Sequence, residues 1–175
     1  MNKLYRPIHF ILNSIASSSC LVLASHNHGL LAVIFSSIII LLQIYWQYFV
    51  AKNLRGLFSL LIIFTVVGMI VDSFLVRQGL IIFNANLFAS NFTAPWMINV
   101  WLSFAVLFYS VLSFLLDKYI LFVILSFFGF TVAYFFGVKI GAAVFPFGYQ
   151  TSFLIGAIFA LMLPAAGYFY KNINK

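Results

Sequence analysis

The chain has 175 residues, of which 65% are hydrophobic and only 6% charged, whereas a soluble domain carries roughly a quarter charged residues. A water-facing globular surface cannot be built from this composition, so the solvent for most side chains is lipid. The formal net charge of +7 would suggest nucleic acid in a soluble protein, but here the basic residues cap apolar runs, and no nucleic-acid partner is expected.

A helix crosses the hydrocarbon core with about 20 apolar residues, and six runs qualify. They are Pro7 to Ser25, Gly29 to Phe49, Leu57 to Val76, Trp96 to Leu116, Tyr119 to Val138 and Gln150 to Tyr170. The expected fold is an all-α, compact six-helix membrane bundle formed as a single integral domain over residues 1–175, with the lipid bilayer as its first partner.

The first run is interrupted by Asn13, Ser14, Ser17, Ser18 and Ser19. A basic start and a Val22-Leu23-Ala24 ending also fit a signal peptide. The span is favoured because Asn13, Ala16, Ser17, Cys20 and Ala24 share one helical face, and small and polar residues on one face let membrane helices approach closely. Cys20 is the single cysteine, so no internal disulfide forms, and its apolar surroundings mark a small packed residue. His26-Asn27-His28 could clip a metal by spacing, but no carboxylate or thiol lies nearby, so a polar turn before Gly29 is the better reading and no metal is expected.

The third run holds Asp72, one of only two acidic residues. A carboxylate inside a span costs about 3 kcal/mol on insertion scales, which makes it a candidate site. Arg77 ends that run and Lys139 ends the fifth, at similar depth. Asp72 and Arg77 are about 140° apart around a helix and therefore poor partners. Lys139, or a polar side chain on a neighbouring helix, is the better partner, and Asp72 is expected to face the interior and border a cavity.

The third-to-fourth connection, Arg77 to Pro95, is apolar and asparagine-rich, as for a segment lying in the interface or dipping into the bundle. It includes Asn91-Phe92-Thr93, a glycosylation sequon by pattern alone. Asn99, Tyr109, Tyr134, Gln43 and Gln47 can hydrogen-bond across helices. In the fifth run Gly129, Ala133, Gly137 and Gly141 recur every fourth residue, a stripe expected to serve helix packing inside the bundle or in a homo-oligomer or other protein contact.

Lys and Arg favour cytoplasmic loops. With both termini inside, Lys3, Arg6, Lys52, Arg55, Lys118, Lys171 and Lys175 fall on the cytoplasmic side, leaving only Arg77 and Lys139 outside. Tyr45, Trp46, Tyr48, Tyr168 and Tyr170 at one boundary and Trp96 and Tyr149 at the other agree, since such rings settle at headgroup level.

Taken in order, Asp72, Gly79 and Phe83, then Pro95-Trp96 with Trp101 and Phe104, then Gly129, Tyr134, Gly137 and Gly141-Ala142 resemble the bacterial inner-membrane family of unknown function DUF2878. The match runs from the first span to Ala143, and the aspartate followed by P-W(x4)W(x2)F is its most specific part. Where the family shows Gly-Pro, this chain has Gly129-Phe130, which implies a straighter fifth helix. The resemblance implies a multi-pass protein of the bacterial inner membrane; the candidate ligand-binding residues are Asp72, Arg77, Lys139, Trp96, Trp101 and Tyr134.

No catalytic or cofactor fingerprint is present, and no cofactor is expected. The function favoured is a small-solute or lipid-binding membrane component with a transport-related role, its small-molecule or lipid ligand held near Asp72. The alternatives are a membrane enzyme or accessory factor in fatty-acyl or lipid modification, and a non-catalytic assembly or scaffold protein.

Overall fold

In the computed structural model, which describes residues 5–52, 54, 56–88 and 91–174, six apolar helices account for most of the chain. They are α1 (Tyr5–Ser25), α2 (Gly29–Ala51), α3 (Leu57–Arg77), α4 (Pro95–Leu107), α5 (Tyr119–Lys139) and α6 (Thr151–Ile173). All six are long and apolar enough to cross a membrane once α4 is taken with its continuation to Asp117. The chain is an all-α polytopic membrane bundle. Lys3, Arg55 and Lys175 lie outside the described residues.

α1 packs most extensively on α2, and α5 on α6. α4 occupies the middle, touching α1, α2 and α3, while α3 also meets α6. α1 and α5 touch at most marginally, which leaves a gap between the two hairpins in front of α4.

Three helices stop by the same backbone device. After α3, Gly79 N–H bonds Val76 O at 2.9 Å and Leu80 N–H bonds Leu75 O at 3.0 Å; after α5, Gly141 N–H bonds Val138 O at 3.0 Å and Ala142 N–H bonds Gly137 O at 2.9 Å. The residue that reverses the chain is Gly79 at φ +67° and Gly141 at φ +82°, a left-handed conformation that a residue lacking Cβ adopts without penalty. After α1 the same pair of bonds forms around Asn27 (φ 61°), so His26-Asn27-His28 is a helix cap. The His26 ring nitrogen lies 2.9 Å from Val22 O.

The caps of α3 and α5 feed two short strands, β1 (Ile82–Phe83) and β2 (Ala143–Val144), which pair antiparallel with Ile82 opposite Val144. Asn84 extends the link by donating from Nδ2 to Gly141 O at 2.7 Å. The apolar third-to-fourth connection is thus pinned to the fifth-to-sixth one and closes one end of the bundle.

The fourth span is irregular. Past Leu107 it widens into a π-helical turn, Phe108–Leu112, and then tightens into a 3-10 turn, Ser113–Asp117. The insertion rotates the following residues relative to the helix above. α5, by contrast, runs unbroken through Gly129-Phe130, with no proline in the span to remove a backbone donor.

A candidate lipid groove backed by a buried aspartate

Asp72 is fully buried, and its carboxyl accepts from Trp101 Nε1–H on α4 at 2.8 Å and from the Tyr134 hydroxyl on α5. Local sequence explains the arrangement. Gly68 lies one turn before Asp72 on the same face of α3, and a Cβ there would stand 2.2 Å from the indole of Trp101. The missing side chain lets the ring lie against the helix backbone, and Asp72 receives its N–H. Thr93 brings its hydroxyl toward the same carboxyl without completing a hydrogen bond, while its backbone N–H bonds Ser73 Oγ at 3.2 Å.

The expected partner Lys139 is not used. Its ammonium lies over the rings of Tyr149 and Phe135, 5.2 and 5.9 Å from their centroids. Arg77 likewise turns to the loop, 5.2 Å from the Phe92 centroid and 3.4 Å from Asn91 O. Both long bases run their stems along apolar surface toward the end of the bundle. Bringing a cation to Asp72 would require dehydrating a second charge, whereas indole and phenol donors satisfy the carboxyl at lower cost.

In front of this cluster lies a cavity of about 540 Å³. Its back wall is aromatic, formed by Trp96, Trp101, Phe104 and Phe108 from the fourth span and by Phe122, Phe130 and Tyr134 from α5. Trp101 stacks on Phe130 at 5.3 Å with an interplanar angle of 11°, so Phe130 braces the wall. Leu21, Ser17 and Asn13 of α1 form the opposite side, and Phe83 and Ala143 of the strand pair lie at one end.

Asp72 is not among the lining residues, so it does not border the cavity as expected. Tyr134 and Trp101 present their rings to the cavity and their polar hydrogens to Asp72 behind them. Of the sequence candidates, Trp96, Trp101 and Tyr134 line the cavity, whereas Arg77 and Lys139 do not.

The small-residue stripe of α5 is divided between the cavity and the helix cap. Gly129, Ala133 and Gly137 line the cavity; a Cβ at Gly129 would meet nothing within 4 Å, and one at Gly137 would be 3.6 Å from Leu21. Gly141 lies past the helix in its cap. The close approaches that glycine permits occur elsewhere. A Cβ on Gly156 would stand 2.0 Å from Thr131 Oγ1, one on Gly167 2.9 Å from Phe122, and Gly68 carries the Trp101 ring. A stripe of small residues makes a flat helix face, and sequence does not say whether a helix or a void lies against it.

On its other side α4 is held by polar groups. Asn99 Nδ2 lies 2.9 Å from Val33 O, 2.8 Å from Ser36 Oγ and 2.9 Å from Ser37 Oγ. Ser103 Oγ lies 2.9 Å from Asn13 Oδ1 and 3.2 Å from Gln43 Oε1. Gln47 Oε1 accepts from Ser110 at 3.0 Å and from the Tyr5 hydroxyl. These are cross-helix bonds of the kind read for Asn99, Gln43 and Gln47, and their serine partners carried no distinguishing signal in sequence.

Among the described residues no group of three or more His, Cys, Asp or Glu side chains could hold a metal ion. Neither the curated proteins nor the solved structures include a match to this chain. The family described as "Protein of unknown function (DUF2878)" matches residues 8–165, nearly the whole bundle including Asp72, the aromatic wall and the stripe of α5, and the chain belongs to that family.

Proposed function

We propose that this membrane protein binds an elongated apolar ligand, the acyl chain of a lipid, in the groove between α1, α4 and α5. The observation that carries the reading is the cavity itself, whose volume of about 540 Å³ falls within the range of small-molecule sites. From the depth of Phe122 to that of Gly137, both lining residues, a helix rises about 22 Å, against about 30 Å for the hydrocarbon core. The groove therefore runs along most of the thickness of the hydrocarbon core, long enough for a chain lying parallel to the helices. Gly129 and Ala133 remain exposed on its floor, so entry from the bilayer needs no opening of the bundle.

Asp72 serves this site indirectly, by fixing the orientation of Trp101 and Tyr134. The membrane is the bacterial inner membrane, as the family resemblance implies, with both termini cytoplasmic by the distribution of basic residues; Asp72 then lies toward the extracytoplasmic side. Reporter fusions after Lys118 and near Phe147 test the orientation, and a periplasmic signal at Lys118 would contradict it.

The binding reading is tested by lipid mass spectrometry of the protein purified in mild detergent. A stoichiometric co-purifying lipid is expected in the native protein, and Gly129→Phe, which fills open space, is expected to remove it without unfolding the bundle. Lipid content unchanged in a folded Gly129→Phe protein would refute the groove as the site. A dimer that dissociates on the same substitution would instead assign the groove to a second copy of the chain.

A further inference from the structure

A second cavity of about 400 Å³ lies beside the irregular end of the fourth span. Its lining includes Arg6, Tyr5, Tyr109, Tyr170, Ser110 and Ser113, of which the Tyr5 and Ser110 hydroxyls donate to Gln47 Oε1. The wall it shares with the lipid groove is Phe108, the first residue of the π-helical turn. The turn has a mechanical consequence here. Leu112 and Leu115 face the groove, while Ser113 and Leu116 face the second cavity, so one short segment separates an apolar chamber from a polar one.

Among the described residues no carboxylate pairs with Arg6. Only two acidic residues exist in the sequence. Asp72 is committed to Trp101 and Tyr134, and Asp117 pairs with Lys171 at 2.6 Å. Arg6, an exposed residue, thus lines this cavity beside the hydroxyl-bearing Ser113 and Tyr170 with no carboxylate partner among the described residues. A guanidinium set among hydroxyl donors matches the acceptor oxygens of a phosphate or carboxylate, which it can engage in two parallel hydrogen bonds.

We infer that this cavity binds an oxyanion, a phosphate or a carboxylate, carried either as the head of an amphiphile or as a free anion. The inference does not depend on what occupies the groove.

The full chain purified in a neutral detergent is titrated with lysophosphatidic acid, with lysophosphatidylcholine as the zwitterionic control, and separately with inorganic phosphate. The anionic amphiphile is expected to bind about tenfold more tightly than the zwitterionic one. Arg6→Gln should erase that preference, Arg6→Lys should keep part of it, and Lys118→Gln, a cation outside the cavity lining, should keep all of it. Phosphate binding with the same dependence on Arg6 would assign a free anion, and preference for the amphiphile alone would assign a lipid head. Should Arg6→Gln fail to fold, Tyr170→Phe removes a hydroxyl from the opposite wall and should weaken binding of the anionic probe about threefold. No preference in the native protein, or a preference that survives the cavity variants, or one lost equally in Lys118→Gln, would overturn the assignment.

Discussion

The two sides of α4 are built on opposite principles. Toward α1, α2 and α3 it is fastened by hydrogen bonds from Asn99, Ser103 and Trp101, and toward α5 it presents aromatic faces to an open groove. In lipid, apolar side chains gain little by choosing protein over acyl chains, so helix association relies on close packing and on polar groups that would otherwise be unsatisfied. Where those devices are present the helices are locked together. Where they are missing, between α1 and α5, a void remains that an acyl chain can fill as well as a side chain could.

The sharpest way to break the comparison is at Asp72. Asp72→Ala leaves the Trp101 N–H and the Tyr134 hydroxyl buried without an acceptor, at about 1–3 kcal/mol for each group. It should lower unfolding stability in detergent more than any other change considered. Asp72→Asn keeps one acceptor and should cost less, about 1 kcal/mol. If both variants unfold at the native temperature while lipid is lost, Asp72 touches ligand and the assignment of its role as a fastener is wrong.

Glycines sharpen the contrast next. At Gly156 a Cβ would stand 2.6 Å from the backbone oxygen of Phe127, which cannot swing aside, so Gly156→Ala should cost about 1–3 kcal/mol through overpacking. At Gly129, facing open space, the same substitution should leave thermal unfolding unchanged or slightly raised, since alanine is the better helix former. Equal sensitivity at the two positions would mean that α5 turns a different face to the groove.

The spans and the isolation of Asp72 were legible in sequence because hydropathy is a local property. All six runs became helices, displaced at their ends by a few residues. The identity of Asp72's partners was not legible. Which helices are neighbours depends on packing, and the pairing of Gly68 with Asp72 one turn later becomes meaningful only when an indole is seen lying across them. The β1–β2 pair escaped because two-residue strands carry no periodicity, and the π-helical turn because its residues differ little from those of a regular span. The stripe of α5 was legible as a smooth face but not as the floor of a cavity, since small residues serve both purposes.

Smaller effects are expected from the polar seam and smallest from the surface. Asn99→Ala removes several cross-helix bonds, each averaging about 0.6 kcal/mol in membrane proteins, and should lower stability by about 1 kcal/mol while leaving lipid content intact. Lys171→Ala breaks a pair whose side chains are 42% and 72% exposed; such pairs contribute about 0.2–1 kcal/mol, and solvent screening puts this one at the lower limit.

The occupancy of the groove is tested most directly by fluorescence of Trp101. The chain has three tryptophans, and replacing Trp46 and Trp96 with phenylalanine leaves Trp101 as the sole indole, buried at 2% exposure yet lining the groove. Reconstituted in vesicles of lipids brominated along the acyl chain, this protein should show strong quenching of an indole that lies inside the bundle, and adding Ala133→Phe should relieve it. An emission insensitive to brominated chains in the folded protein, with or without Ala133→Phe, would contradict the presence of lipid in the groove.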